Sequence, residues 1–289
     1  MDKKACIFIL LAGACWGTNG LFFRQLSALG FGTMEVLFTK MLVAMILLGG
    51  YLLIRDASLF RMHLRDLWVF LAIGFVGMLA FNYFYFQAMV YNTVAVAVAL
   101  LYTSPIFVVF LSAVLFKERV TKVKLLALTV IFGGCLCASG IFLGGLEFSA
   151  LGLFFGIGAG LFYGSYSIFS RIVLDRGYTS LTVAFYAIAI SCMGGFFLAD
   201  HSVIIGSFGL PMVVNVVGIA VFACLTPMLL YTAGLQKVET GVAAMLVTSE
   251  PVVAALISAV VLSEPLSIFT VIGIVLILTG IMVMNVKRS

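Results

Sequence analysis

The feature that most constrains this chain is a succession of long apolar stretches with little between them. Ten stretches can be distinguished, at residues 5–23, 33–54, 67–89, 93–116, 124–142, 149–172, 180–199, 211–231, 241–262 and 268–286. A helix that crosses a bilayer needs about 20 mostly apolar residues, and each stretch is close to that length. Only 9% of the residues are charged, whereas an average soluble domain is about 25% charged. The sequence therefore predicts an all-α polytopic membrane protein with ten transmembrane helices, surrounded by the lipid bilayer.

The positions of the basic residues predict how these helices are oriented. If ten stretches cross the membrane, the N-terminus, the even-numbered connections and the C-terminus lie on one side. That side carries fourteen of the 16 Lys and Arg residues: Lys3, Lys4, Arg55, Arg61, Arg65, Lys117, Arg119, Lys122, Lys124, Arg171, Arg176, Lys237, Lys287 and Arg288. Because positive residues are retained on the cytoplasmic side, both termini are predicted to be cytoplasmic, in a multi-pass protein of the cell (plasma or inner) membrane. This asymmetry explains the net charge of +5 without nucleic acid as a partner.

The chain also contains an internal repeat. Residues 104–134 resemble residues 250–280 when the sequence is shifted by 146 positions, which places Pro105 over Pro251. Near the starts of the halves the shift is 147, and it matches Gly13 with Gly160 and Gly17 with Gly164. Glycines at this spacing are expected to let the first and sixth helices approach their neighbours closely.

The repeat divides the chain into residues 1–145 and 146–289, each with five stretches. Because five is an odd number, the second half enters the membrane in the opposite orientation. The connections agree, since the basic "KERVTK" of the first half corresponds to "SEPLS", which lacks Lys and Arg, in the second. Two inverted five-helix repeats around a site near the membrane midplane are typical of secondary transporters.

Glu250 is the candidate substrate-binding residue that stands out most, because it lies in the middle of the ninth stretch, directly before Pro251. A charged side chain at the centre of a membrane helix costs about 2.5–3.5 kcal/mol on insertion scales, so the carboxylate is expected to face protein or water. Proline cannot donate a backbone hydrogen bond, which predicts a free acceptor at the carbonyl of Val247. The repeat counterpart of Glu250 is Ser104, whose hydroxyl is expected at a similar depth.

Lys40, inside the second stretch, is the other interior charge and is expected at a depth comparable to that of Glu250. Two interpretations remain open. Lys40 and Glu250 pair and orient their helices without touching substrate, or one or both of them contact the substrate or a proton.

Aromatic and amide side chains complete the set of substrate-binding candidates. They are Trp16, Asn19, Asn82, Tyr83, Tyr102, Tyr163 and Tyr166. Trp16 corresponds to Tyr163 in the repeat, and Asn19 corresponds to Tyr166, so the two sets are expected to line one cavity from two sides. Ring faces attract cations, and together with the carboxylate of Glu250 they favour a cationic or zwitterionic organic solute.

Other features of the sequence argue against catalysis. The six cysteines have no paired zinc spacing, His63 and His201 fall in predicted connections, and no Gly-rich phosphate loop is present. We therefore predict no catalytic residue, no metal site and no cofactor. Glu118 and Glu264, at tight corners between stretches, are expected to cap helices.

Three segments resemble the EamA-type members of the drug/metabolite transporter superfamily. They are "WGTNG" (16–20), "FNYFYFQAMVYNTVAVAVALLYTSPIFVVFLSAVLFKE" (81–118) and "VETGVAAMLVTSEPVVAALISAVVLSEP" (238–265). The resemblance covers both halves, and it implies a central cavity lined by helices one to four and six to nine, with the fifth and tenth helices peripheral. It also implies transport of small organic solutes such as amino acids, amines or drugs, often outward. Lys40 departs from the family, which usually has arginine at this position.

These inferences predict a secondary transporter, and more specifically an exporter of small organic metabolites. It is expected to work by alternating access, with proton coupling or exchange. Two alternatives belong to other classes. A membrane-embedded enzyme would need polar catalytic groups clustered at one membrane face, and a receptor or scaffold without transport activity would usually carry soluble domains or long tails. Neither feature is evident in the sequence.

Overall fold

The computed structural model describes residues 2–142, 149–261, 263 and 266–286, and the secondary structure of these residues is entirely helical, without a strand. Eight helices in this part of the chain are long and apolar enough to cross a membrane. They are α1 (Lys3–Ser27), α2 (Thr33–Arg55), α3 (Leu64–Tyr91), α4 (Val96–Phe116), α6 (Ala150–Asp175), α7 (Ser180–Leu198), α8 (Leu210–Leu235) and α9 (Thr240–Val261). Two further apolar helices are α5 (Lys122–Ala138) and α10 (Ile268–Val286).

The helices α5 and α10 pack along each other. Their backbones approach closely at two glycines: a Cβ added to Gly134 would lie 2.9 Å from the carbonyl oxygen of Gly273, and one added to Gly280 would lie 3.1 Å from that of Ala127. These distances are shorter than ordinary van der Waals contact, so the pair requires glycine at both crossings. The fifth helix ends at Ala138, before the end of the stretch predicted at 124–142.

Besides α1, which has a one-residue break at Thr18, two of the long helices are interrupted inside the bundle. In α9 a 3₁₀ turn at Val247–Ser249 precedes a new helical segment that begins at Glu250. In α4 the interruption falls at residues 102–103. Pro251 and Pro105 occupy the first turns of the segments that follow, where a proline's missing N–H is tolerated because that group has no partner in the helix. The prolines therefore account for both interruptions.

Two other helices contain π-helical segments that the sequence did not predict. They are Ala72–Ala80 in α3 and Val221–Leu225 in α8. Residues 221–225 correspond to residues 75–79 at a shift of 146, so both halves widen their third helix at the same place. Gly77 in the first of these segments packs against the backbone of Tyr166 on α6, where an added Cβ would lie 2.9 Å from the Tyr166 Cα.

Close contacts at glycines also occur twice in corresponding places. In one set, α1 packs against the interrupted part of α9. Gly13 faces the carbonyl oxygen of Val247 and the Oγ of Ser249, and Gly17 faces the carbonyl oxygen of Glu250. A Cβ on Gly17 would lie 2.8 Å from that oxygen, so only glycine permits this approach.

The second set joins α6 to the interrupted part of α4. Gly160 faces the carbonyl oxygen of Leu101 and the Oγ1 of Thr103, and Gly164 faces the carbonyl oxygen of Ser104. Each residue corresponds to its equivalent in the first set at a shift of 146 or 147. The prediction that these glycines seat the first and sixth helices against their neighbours is confirmed.

Charged residues and loops gather at one end of the bundle, called here the polar end and formed by residues 56–66, 117–121, 176–179 and 236–239. Arg171 near the end of α6 donates to the carbonyl oxygens of Leu235 and Val238, at 3.3 and 3.2 Å. Arg176, just past the same helix, forms an ion pair with the buried Asp66 at 2.5 Å. The end of α6 is therefore bonded to the α2–α3 connection through Asp66, and to the end of α8 and the α8–α9 connection through Leu235 and Val238.

Asp66 also accepts a hydrogen bond from the hydroxyl of Tyr178, at 2.7 Å. Partial burial raises the pKa of Tyr178, so the phenol stays protonated and remains a donor. The backbone N–H of His63 in turn donates to the Tyr178 oxygen, at 3.0 Å. These bonds fasten the connection between α2 and α3 to the connection between α6 and α7.

Glu118 caps a helix, as predicted, but the helix belongs to the other half of the chain. Its two carboxylate oxygens accept from the backbone N–H groups of Thr240 and Gly241 at the start of α9, at 2.5 and 3.1 Å. The buried Lys124 lies 2.5 Å from Glu239 and 4.0 Å from Glu118. A short network of charges therefore joins the α4–α5 corner to the α8–α9 loop. Glu264, the repeat counterpart of Glu118, lies outside the described residues.

The two longest connections have more structure than the sequence predicted. Residues 56–66 form two 3₁₀ turns, Ala57–Phe60 and Leu64–Asp66, and His201–Gly206 forms a short helix between α7 and α8. Polar caps explain this local order: Asp56 accepts from the N–H of Ser58, and Asp200 accepts from the N–H of Ser202, both at 2.9 Å.

Candidate functional site

A cavity lies inside the bundle between α1, α4, α6, α8 and α9. Its walls surround about 430 Å³ of space that protein atoms do not fill, open solvent at its mouth included. The lining residues are Trp16, Tyr102, Ser104, Pro105, Tyr163, Tyr166, Ser167, Tyr231, Ala244, Val247, Thr248 and Glu250. Six of the ten residues singled out from the sequence are among them. The fold thus brings together one carboxylate, several hydroxyls and five aromatic rings.

The interruption of α9 places Glu250 in the cavity wall. Ser249 donates from its Oγ to the carbonyl oxygen of Leu10 on α1, at 3.1 Å, which fixes the turn against the first helix. The carbonyl of Val247 was predicted to be a free acceptor, and this prediction is wrong because the N–H of Glu250 donates to it. A 3₁₀ turn makes such bonds between residues three apart. The carboxylate, rather than a backbone carbonyl, is therefore the polar group that this turn presents.

The carboxylate of Glu250 has one hydrogen-bond donor on the opposite wall. The hydroxyl of Tyr163 on α6 donates to its Oε2, at 3.3 Å. The Tyr163 ring lies 4.9 Å from that of Phe81 on α3, and Phe81 stacks on Tyr85 at 5.9 Å. Glu250 therefore lies beside a row of aromatic rings that continues from α6 to α3.

A second aromatic group forms the wall toward α8. The ring of Tyr231 lies 5.6 Å from that of Trp16 and 6.1 Å from that of Tyr166. The Tyr231 hydroxyl and the Oγ of Ser167 share a hydrogen bond of 2.6 Å. This wall offers ring faces and neutral hydroxyls without a formal charge.

Sequence reasoning missed Ser167, Tyr231 and Thr248. Tyr231 was placed at the edge of the predicted stretch 211–231, but α8 continues to Leu235, so the ring lies one turn inside. The repeat carried a usable signal, because Tyr231 corresponds at a shift of 146 to Tyr85, itself a member of the aromatic row.

Three of the predicted site residues are not part of the cavity wall. Asn82 donates from Nδ2 to the carbonyl oxygen of Met78 in its own helix, at 2.7 Å. Tyr83 is 43% exposed on the surface of the bundle. Asn19 begins the second segment of α1, and its buried Oδ1 has no hydrogen-bond partner among the residues that the structure describes.

Lys40 also stands apart from the wall, partly buried on α2. It interacts electrostatically with Glu250 across the interior. Within the described part of the chain, however, the two side chains are not within the 4.0 Å of an ion pair. The two interior charges are therefore near each other without direct contact.

A helical bundle with eight membrane-length helices and an interior cavity that contains a carboxylate is typical of membrane transporters. Comparison with known protein families gives the same answer. Residues 3–140 and 150–286 each match the EamA-like transporter family. The chain belongs to this family, within the drug/metabolite transporter superfamily, and it is a membrane transporter.

Similar proteins are found in archaea and bacteria. Two proteins of Archaeoglobus fulgidus, both named uncharacterized transporter, are 26% and 27% identical over 92% and 95% of this chain, and over 91% and 94% of their own length. The uncharacterized transporter YetK of Bacillus subtilis is 24% identical over 78% of this chain and 70% of its own. One crystal structure matches with a TM-score of 0.81 at 19% identity and covers both chains fully, which shows a common fold.

Proposed function

We propose that the protein is a secondary transporter of small organic solutes, with a preference for cationic or zwitterionic ones, and that Glu250 is its central binding residue. The observation that carries this proposal is the position of the Glu250 carboxylate inside an aromatic-lined cavity, with the Tyr163 hydroxyl as a hydrogen-bond donor. Interior membrane charges are costly and mark substrate or ion pathways. A carboxylate attracts a cationic group, and the faces of Trp16 and the tyrosines add cation–π attraction.

The proposal includes an architecture of ten spanning helices in two inverted repeats, residues 1–145 and 146–289. The recurrence of glycine contacts and of helix interruptions at shifts of 146 or 147 supports it. In this arrangement α5 and α10 are the fifth and tenth spans, packed together at the periphery. At a rise of about 1.5 Å per residue, the 17 residues of α5 extend roughly 25 Å, which is adequate for a short span.

Alternating access is supported by an asymmetry between the two ends of the cavity. Toward the polar end, the last part of α4 packs along the first part of α9. An added Cβ on Gly241 would lie 3.1 Å from a Val109 methyl and 3.3 Å from the Ser112 Oγ. At the opposite end, among the residues that the structure describes, the part of α4 before Tyr102 does not pack side by side with Glu250–Val261. We infer a conformation closed at the polar end, which exchanges with one closed at the other.

The basic loops favour a cytoplasmic location for the polar end and for both termini, in the plasma or inner membrane. In a conformation closed toward the cytoplasm the cavity faces outward, as it does when an exporter releases its solute. We propose export coupled to a proton or to exchange, with Glu250 as the residue that a proton and a cationic solute would share.

Ligand-dependent stability of the purified protein tests the proposal. We expect a solute from a panel of amines, amino acids, nucleosides and sugars to raise the melting temperature of the parent and not that of Glu250→Gln. A ligand present at 100 times its Kd raises the free energy of unfolding by about 2.7 kcal/mol, which is readily measured as a shift in melting temperature. Glu35→Gln is the matched control, since Glu35 is a buried carboxylate that accepts from the N–H of Asp200, at 2.7 Å, outside the cavity. Equal shifts in parent and Glu250→Gln would exclude Glu250 from binding.

A further inference from the structure

The cavity contains a second polar feature besides Glu250. The hydroxyl of Tyr166 is buried and has no hydrogen-bond partner within the part of the chain that the structure describes. The residue is 4% exposed, yet its side chain lines the cavity. Buried polar groups are nearly always hydrogen-bonded, so an unpartnered hydroxyl at a cavity wall marks a position where a bound molecule supplies the bond.

Other hydroxyls surround this position. Tyr231, whose ring packs near that of Tyr166, shares a hydrogen bond of 2.6 Å with Ser167. Ser170, one turn further along α6, is fully buried. Its hydroxyl lies next to that of Tyr166 without meeting the geometry of a hydrogen bond, and neither hydroxyl has another partner among the described residues. We call these four residues, Tyr166, Ser167, Ser170 and Tyr231, the hydroxyl cluster. It is uncharged, so it suits a neutral or anionic oxygen better than a second cation.

The distance between the hydroxyl cluster and Glu250 follows from helix geometry. Tyr163, which donates to Glu250, precedes Tyr166 by three residues, so both side chains lie on one face of α6. At a rise of about 1.5 Å per residue the two positions are roughly 5 Å apart along the helix. A solute bound at Glu250 through a cationic group therefore reaches Tyr166 when it carries a hydrogen-bonding atom a few bonds from its charge.

We propose that Tyr166 determines which solutes are accepted, by donating a hydrogen bond to an oxygen atom of a solute whose cationic group is bound at Glu250. This inference rests on the proposed function. It narrows the substrate class to cationic or zwitterionic solutes with a hydroxyl, carbonyl or carboxylate oxygen near the charge. A cation of the same size without that oxygen leaves the Tyr166 hydroxyl unpaired and binds less tightly.

Matched pairs of quaternary ammonium ions test the inference. Choline is compared with propyltrimethylammonium, which has a methyl group in place of the hydroxyl, and (3-hydroxypropyl)trimethylammonium is compared with butyltrimethylammonium. Binding is measured by calorimetry on the purified full-length protein. We expect the parent to bind the hydroxylated member of at least one pair about three- to tenfold more tightly, the range of one hydrogen bond. In Tyr166→Phe the two members are expected to bind equally, with the affinity for the alkyl member unchanged.

Two controls distinguish a role of Tyr166 in substrate specificity from a structural role. Ser191→Ala removes another buried hydroxyl that is unpartnered among the described residues but lies outside the cavity wall, and it should leave the preference unchanged. Tyr166→Phe removes an unpaired polar atom, so its melting temperature should be at least that of the parent. A lower melting temperature with weaker binding of all four ions would overturn the inference and assign Tyr166 a structural role.

The remaining outcomes distinguish this inference from the proposed function. If the ions bind but the parent shows no preference, or Tyr166→Phe keeps it, the inference is wrong and a cation site at Glu250 stands. If no ion binds to the parent, the preference for cations is wrong and the inference falls with it.

Discussion

Lys40 and Glu250 are the two interior charges, and their separation predicts how each tolerates replacement. Breaking a buried ion pair costs about 3–5 kcal/mol, but these side chains interact without direct contact. We therefore expect Lys40→Met and Glu250→Gln each to fold, with a coupling energy below about 1 kcal/mol in the double variant. Thermal unfolding of the four proteins measures this coupling. Two single variants that fail to fold, rescued in the double variant, would show a structural pair instead.

At the scale of single residues, the sequence predicted the chemical groups of the site better than it predicted which residues line the cavity. Glu250 and Tyr163 were identifiable because a carboxylate in an apolar stretch and a repeated aromatic position are rare signals. Lys40 was included as the second interior charge and Asn82 as an amide inside the third stretch, without a signal for the direction in which either side chain points. A helix that is apolar on nearly every face gives no periodic signal for which face points inward. Only the packed structure therefore shows that Lys40 and Asn82 lie outside the cavity wall.

At the scale of helices, the glycines that seat α1 against α9 carry a prediction with an internal control. A Cβ at Gly17 would lie 2.8 Å from the carbonyl oxygen of Glu250 and 2.9 Å from the Cβ of Val253. Forcing extra atoms into a packed interface costs about 1–3 kcal/mol, so Gly17→Ala should lower the melting temperature and weaken any ligand that binds at Glu250.

Gly50→Ala is the matched control, because nothing lies within 4 Å of a Cβ added there. Alanine is favoured over glycine inside a helix by about 0.5–1 kcal/mol, so this variant should be slightly more stable than the parent. Opposite signs for the two substitutions are the expected result. Equal effects would mean that α1 and α9 can move apart without a loss of stability, contrary to their close approach at Gly17.

Helix existence was predictable from the length of the apolar stretches, whereas helix interruptions were predictable only in part. Pro105 and Pro251 mark two of these interruptions in the sequence, because proline lacks a backbone hydrogen-bond donor. The π-helical segments Ala72–Ala80 and Val221–Leu225 have no such marker. They fall where α3 and α8 pack against other helices, for example where Gly77 meets Tyr166, and such packing is fixed only when the helices assemble.

At the scale of the whole molecule, the internal repeat was the most informative feature of the sequence, yet it does not predict at which end the proposed closed conformation is closed. In the proposed architecture of two repeats with one fold, equivalent residues of the two repeats can make either set of contacts. The two halves differ in sequence at the positions of the charge network: Lys124 corresponds to Thr270, and Glu239 corresponds to Thr93. Thr270 and Thr93 therefore cannot form the ion pair that Lys124 and Glu239 form at the polar end.

The proposed closure of the polar end can be tested through this network. Glu118 caps α9 while Lys124 bridges Glu118 and Glu239, and charge-assisted bonds of this kind contribute about 1.5–3 kcal/mol each. In the double variant Glu118→Gln with Lys124→Met, a cysteine introduced at Ala244 in the cavity wall should react faster with an impermeant thiol reagent added from the polar end. The background lacks the native cysteines, and Arg65→Gln, which alters an exposed arginine 3.9 Å from Asp66, is the control. An unchanged rate would mean that apolar packing between α4 and α9 closes this end without help from the charges.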